Sequence, residues 1–178
     1  YARGCCGVAI VGQQLFPGTL RRVCSPLPAV QGWRRPVVQT GPLCLPFLHN
    51  ADELALSLLS DGITGMKIWP FDYAAEKTGG QYIAPADLKS ALQPFEKIRK
   101  AVGDKMDIMV ELHSQWGLTA AKRIARALAD YEPFWFEDPI KMDNLKAVAD
   151  FARSTPIPVT ASETLGYRGP FRDLFERE

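Results

Sequence analysis

From Asn50 onward the apolar positions recur with two alternating periods. Leu54, Leu58 and Leu59 share one side of a helix whose start is marked by Asn50 and, three residues later, Glu53, a capping-box pattern, and whose end is marked by Gly62. Gly65-Met66-Lys67-Ile68-Trp69, bounded by Pro70, predicts a strand. A second helix is predicted from about Pro85 to Val102, with Leu88, Leu92, Phe95, Ile98 and Val102 at helical spacing and Pro94 expected to kink it. Asp107 to His113 is the next predicted strand, and Leu118 to Asp130 the next helix, with Leu118, Ala121, Ile124, Ala125 and Leu128 on one side. Phe134 to Glu137 predicts a strand closed by Asp138-Pro139, Asn144 to Arg153 a helix, and Pro158 to Ser162 a further strand.

Strand and helix thus alternate repeatedly, which argues for an α/β fold of parallel strands joined by right-handed helical crossovers. Two architectures satisfy that pattern, an open doubly wound sheet and a (β/α) barrel. Residues 1–49 show no sustained period, are broken by Pro and Gly, and are read as an irregular remnant or linker ahead of a domain spanning 50–178.

Charge sharpens this division. Residues 1–51 hold Arg3, Arg21, Arg22, Arg34 and Arg35 and no acid, whereas the remainder carries 16 basic against 20 acidic residues, although the whole chain of 178 residues is only +1. The acid-free stretch also fits a frame-shifted segment, which resequencing of the coding region tests. All four cysteines (Cys5, Cys6, Cys24, Cys44) lie in the same stretch, at spacings that match no zinc pattern, so free thiols are expected. A near-zero net charge gives no reason to expect a nucleic-acid partner, and no apolar run is long enough to suggest a membrane span. The expectation is a soluble, cytoplasmic protein. The start at Tyr1 suggests a fragment.

The candidate chemistry lies at the carboxyl ends of the strands. Glu111, Glu137 and Glu163 are each separated by 26 positions, so each occupies the same place in its βα unit and all three are expected at equal height. Neighbouring strands lie about 4.8 Å apart, and three converging carboxylates would repel or take up protons unless a cation joined them. All-oxygen ligation favours Mg²⁺, with Mn²⁺ or Ca²⁺ as alternatives. The plainer reading is three solvated glutamates near helix N-termini, which predicts no Mg²⁺ binding. Strand alternation places His113 on the face of Glu111 and makes it a candidate acid/base. It also turns Lys67 either to an exposed edge or towards an anion, and the carboxylate cluster supplies the anion.

Together, Gly65-Met66-Lys67-Ile68-Trp69-Pro70-Phe71-Asp72, Val110-Glu111-Leu112-His113, Phe134-Trp135-Phe136-Glu137-Asp138-Pro139 and Ala161-Ser162-Glu163-Thr164 resemble the strand-end motifs of the mandelate racemase/muconate lactonizing enzyme family in the enolase superfamily. The resemblance covers about residues 50–175 and implies a partial TIM-type (β/α) barrel, with Mg²⁺ held by Glu111, Glu137 and Glu163. The first ligand is commonly Asp in that family, so Glu111 lengthens the arm by one methylene. A His two residues beyond the first ligand marks mostly acid-sugar dehydratases, and His113 matches it as acid/base. Racemases and cycloisomerases of the family carry a lysine pair that would fall on Lys67 and residue 69. Residue 69 is Trp, which favours the dehydratase branch and leaves Lys67 as an electrostatic partner of the substrate carboxylate.

The implied activity is a lyase reaction on a small-molecule carboxylate, an acid sugar: Mg-dependent removal of the proton α to the carboxylate, then loss of a β-hydroxyl. A racemase or cycloisomerase of the same superfamily, a metal-dependent hydrolase or aldolase on a similar barrel, and a non-catalytic remnant needing a partner chain remain as alternatives. A homo-oligomer is left open. A complete barrel takes about 250 residues, so the chain alone is expected to be poorly active.

Overall fold

The computed structural model describes residues 37–39, 50–161 and 163–177, the first group as backbone only. Five strands form one parallel sheet: β1 (Val37–Gln39), β2 (Gly65–Ile68), β3 (Asp107–Glu111), β4 (Trp135–Glu137) and β5 (Val159–Thr160). Their order in space is their order in sequence. That order decides between the two architectures the sequence left open, because a doubly wound sheet reverses direction at a switch point and a barrel does not. The helices are α1 (Ala51–Ser60), α2 (Asp72–Thr78), α3 (Pro85–Val102), α4 (Leu118–Leu128), α5 (Leu145–Ala152) and α6 (Arg168–Phe175). Among the described residues no helix is long and apolar enough to cross a membrane.

Alternation along each strand separates two faces. Met66, Ile68, Ile108, Val110 and Phe136 join the buried core shared with Phe95 and Ile98 of α3, Ala121, Ile124 and Leu128 of α4, and Phe151 of α5. Phe136 meets Phe151 edge-on at 5.9 Å, and Phe95 lies between Phe71 (6.2 Å) and Tyr131 (6.0 Å). Each fully buried Ile or Leu on these helices contributes about 1.5–3 kcal/mol relative to exposure, so the periodic apolar stripes of α3 and α4 suffice to hold them against the sheet. The opposite set, Lys67, Met109, Glu111 and Glu137, points to the other side.

Arg99 of α3 fastens the loops at the foot of the sheet. Its guanidinium donates to the carbonyls of Met106 (2.6 Å), Tyr131 (2.8 Å), Gly103 (3.0 Å) and Glu132 (3.1 Å), all in the segments that follow α3 and α4. At the opposite end, Gly80 allows the loop after α2 to lie on the loop after β3. Its φ is +74°, a Cβ there would sit 1.9 Å from the Gln115 carbonyl oxygen, and its own carbonyl accepts the Gly117 amide at 2.8 Å. This contact ties the end of α2, the helix that Asp72 opens, to the loop that carries His113.

Several expected boundaries shift. The strand expected to reach His113 stops at Glu111, and the last strand shrinks to Val159–Thr160. The capping box at Asn50 does not form; the Asn50 amide instead donates to the Glu53 carboxylate at 3.3 Å, and no side chain caps α1. The segment expected to be irregular contributes β1, which pairs with β2 through Val37 and Gly65. The rest of residues 1–49, with the four cysteines, His49 and the five arginines, lies outside the described residues.

Candidate active site

Strands β2, β3 and β4 deliver three charged side chains to one place. Glu111 and Glu137 pair directly in the register of β3 and β4, so they stand level. Lys67 pairs with Met109, one side-chain layer lower, and its four-carbon stem lifts the ammonium to the carboxylates. The Nζ atom donates to Glu111 Oε2 at 2.8 Å and to Glu137 Oε1 at 2.7 Å. Lys67 is 3% exposed and Glu111 1%. A lysine facing an anion, one of the two outcomes that alternation allowed, is the one realised.

Glu111 also builds the turn that follows it. Its Oε1 accepts the amides of Leu112 (3.1 Å) and His113 (3.0 Å), which an arm one methylene shorter reaches less easily. His113 and Ser114 have φ of 50° and 55°, a left-handed conformation that costs non-glycine residues about 1–2 kcal/mol each. The two Glu111 bonds, together with Ser114 N–H donating to the Asp138 carbonyl at 2.8 Å, offset that strain. His113 therefore reaches the site through this turn. The alternation reasoning that set it beside Glu111 is corrected, since the strand has already ended. Its Nδ1 lies 2.9 Å from Asp72 Oδ2, and its ring meets Trp69 edge-on at 5.4 Å.

Charge and burial tune these groups. Burial pushes the Glu111 carboxyl up to about 7, with the Glu137 charge adding to the rise and Lys67 and the His113 amide opposing it. Burial works against the Lys67 ammonium, but the hydrogen bonds and charges of Glu111 and Glu137 outweigh it and hold its pKa above the usual value. Close contact with the Asp72 carboxylate raises His113 against the effect of burial, and the charges of Asp72, Glu111 and Glu163 add to it. Asp138 is raised by burial, against the bond it accepts from the Glu163 amide.

Glu163 departs from the expected arrangement. Glu137 pairs with Thr160, so Glu163 lies three residues beyond the level of the other two glutamates and past the end of β5. Equal spacing in sequence is equal height only if successive strands start in the same register, and β5 does not. The Glu163 amide donates to Asp138 Oδ2 at 3.1 Å, while its side chain is exposed. Among the described residues no cluster of three or more His, Cys, Asp or Glu side chains is placed to hold a metal ion. The donor set still suits a hard cation. Glu111 and Glu137 present two level carboxylates to a single ammonium, and beside them Asp138 Oδ1 is buried with no hydrogen-bond partner among the described residues.

Sequence reasoning missed Asp72 and Asp138. Asp72 entered the sequence reading only as the last residue of the Gly65–Asp72 motif, and Asp138 only in the Asp138-Pro139 pair that closes a strand. The only available signal for Asp138 was its residue type, since Asp tolerates the left-handed φ of 42° found there. Trp69 Nε1, Ser114 Oγ and His113 Nδ1 are also buried without hydrogen-bond partners among the described residues, so the 2.9 Å approach of His113 to Asp72 is an electrostatic contact.

Residues 50–178 match the family profile described as enolase C-terminal domain-like. The structure is similar to an enolase of the mandelate racemase subgroup from Agrobacterium tumefaciens, with a TM-score of 0.73 and 62% identity, covering 80% of this chain and 36% of that one. A D-gluconate dehydratase of Thermoproteus tenax is 26% identical over 113 residues, 64% of this chain and 22% of the relative. A D-xylonate dehydratase of Haloferax volcanii is 29% identical over 98 residues, 54% of this chain and 23% of the relative. The matched stretch thus spans less than a quarter of either dehydratase.

Proposed function

The chain belongs to the enolase C-terminal domain-like family, and from that premise we propose that its strand ends serve the Mg²⁺-dependent dehydration of an acid sugar. The observation that carries this reading is the level pair Glu111 and Glu137, bridged by the Lys67 ammonium, with His113 held over the turn that Glu111 builds. Glu111, Glu137 and Glu163 would hold the ion, which when bound supplies the positive charge that makes a proton α to a carboxylate removable near neutral pH.

The chain's own groups account for the remainder. Lys67 balances the carboxylates and acts as an electrostatic partner for the substrate carboxylate. His113 is the acid/base group: its imidazolium gives a proton to the departing β-hydroxyl, which leaves as water, and the ring is left neutral. A general base of the complete barrel takes the α-proton, and the resulting enol converts to a 2-keto-3-deoxy acid. Trp69 at the position of a second lysine favours dehydration over lysine-based racemisation, and the dehydratase relatives favour a sugar acid.

The activity proposed is that of a complete barrel, so metal binding tests the reading in the chain itself. Calorimetric titration with MgCl₂ should give a single-site heat that is lost in Glu111→Gln and Glu137→Gln and reduced in Glu163→Gln. A panel of aldonic acids should then yield 2-keto-3-deoxy product from the complete enzyme and little from the 178-residue chain. Absence of a magnesium heat sensitive to Glu111 and Glu137 would overturn the proposal.

A further inference from the structure

Every carboxylate oxygen of the level pair Glu111 and Glu137 already accepts a hydrogen bond. Glu111 Oε1 takes the Leu112 and His113 amides at 3.1 and 3.0 Å, and Glu137 Oε2 takes the Trp135 indole N–H at 3.2 Å. The other two oxygens, Glu111 Oε2 and Glu137 Oε1, share the Lys67 ammonium at 2.8 and 2.7 Å. These donors are of two kinds. Amide and indole N–H groups are neutral, and a carboxylate oxygen keeps a second lone pair with which to bind a cation beside them. The ammonium carries a full charge and is walled off from water, with Lys67 3% and Glu111 1% exposed. A second cation at the same two oxygens would face it at close range, where little solvent screens the repulsion. The donors also differ in freedom. The two amides are fixed in the turn after β3, whereas the ammonium rides on a flexible four-carbon stem rooted one side-chain layer lower, at the level of Met109.

We infer that Lys67 is the resident cation of this site: a divalent ion binds Glu111 and Glu137 only by displacing the ammonium, and Lys67 thereby sets the affinity for the ion. This rests on the metal-binding reading above and deepens it by naming the group with which the ion competes. One cation replaces another on the same oxygens; no covalent bond forms or breaks and no proton moves. The apparent affinity is then the intrinsic one reduced by the fraction of molecules in which the ammonium has left the carboxylates. Competition also gives the two roles of Lys67 an order. While the ammonium is held between the glutamates it is not available to a substrate carboxylate, so it becomes a partner for substrate only after it has left them.

Two measurements on the 178-residue chain test this with MgCl₂ alone as the ligand. Calorimetric titration at pH 9 should give Lys67→Met an affinity for Mg²⁺ about 10-fold or more above that of the wild type. Trp135→Phe, which relieves Glu137 Oε2 of a neutral donor, should stay near the wild-type value. The second measurement reads the displacement itself, which a general loss of positive charge would not produce. In ¹³C-edited spectra of the wild type, the Lys67 ε-methylene should show nuclear Overhauser contacts to the γ-methylenes of Glu111 and Glu137, and these should vanish as MgCl₂ saturates the site. Equal affinities in the wild type and a folded Lys67→Met, a gain confined to Trp135→Phe, or Overhauser contacts that persist at saturation would overturn the inference and leave the metal site in place. The wild-type spectra decide alone if the methionine variant does not fold. Uptake of no Mg²⁺ by any of the three proteins would overturn the inference together with the metal-binding reading.

Discussion

Replacing Lys67 with Met keeps most of the length and volume of the side chain and removes the ammonium that bonds Glu111 and Glu137. Contacts of 2.8 and 2.7 Å correspond to a gross attraction of about 6 kcal/mol each at an effective dielectric of about 20. Much of that offsets the cost of taking the ions out of water, and removal of one partner of a buried pair leaves a net loss of about 3–5 kcal/mol. The loss should depend on pH in a defined way. Glu111 has its pKa raised to about 7 in the folded protein, against about 4.3 in an unfolded chain. A raised carboxyl contributes stability that is fully present below the unfolded value and lost as pH climbs to the folded one, so the wild-type contribution is exhausted near pH 7. Without Lys67 the folded value rises further and the decline continues. The stability difference between wild type and Lys67→Met should therefore widen by about 1.4 kcal/mol per pH unit above pH 7. Urea unfolding of both proteins at half-unit steps from pH 5 to 9, without divalent ions, measures it. A difference that is constant across pH 7 to 9, or that stays below about 1 kcal/mol at pH 8, would refute the reasoning.

Three further outcomes follow from the geometry. Arg99→Met should lower stability by about 2–4 kcal/mol, because it strips a charged donor from four loop carbonyls, and Arg99→Lys should recover little of this, since an ammonium cannot reproduce the fork; denaturant midpoints test both. Gly80→Ala should cost more than about 3 kcal/mol or prevent folding, whereas Gly62→Ala, with a similar φ of +78° but open space around its Cβ, should cost about 1–2 kcal/mol; thermal unfolding of the pair separates clash from backbone strain. Glu111→Asp should weaken the bonds to the Leu112 and His113 amides and destabilise the chain by about 1–3 kcal/mol, with the amides of residues 112 to 115 exchanging faster with deuterium than in the wild type.

Much of this arrangement was legible before any coordinates. The helix at Pro85–Val102 and the start of the helix at Leu118 follow from apolar periodicity because their buried stripes are long and unbroken. The pairing of Glu111 with Glu137 follows from equal unit length, and the same argument fails at Glu163 because register is set where a crossover lands on the sheet, which the count of residues does not contain. His113 was placed in the right neighbourhood for the wrong reason. A left-handed histidine leaves no mark in the sequence, and here it is enforced by the hydrogen bonds that the His113 and Ser114 amides donate to Glu111 and Asp138. Asp72 was invisible for a different reason: its partner is 41 positions away, and only the folded chain brings the two loops together.

Asp138 joins three neighbours at once: its carbonyl receives Ser114, its amide donates to Thr160, and its carboxylate receives Glu163. The loops at this rim consequently cannot be exchanged one at a time. A laboratory recombination that imports the loop after Glu111 from a relative, but leaves residue 138 and the segment up to Glu163 untouched, would set a foreign backbone against native anchors. Libraries aimed at altered substrate choice should therefore treat residues 112–116, Asp138 and residues 161–164 as one heritable block, and crossovers placed inside that block should yield mostly unfolded progeny.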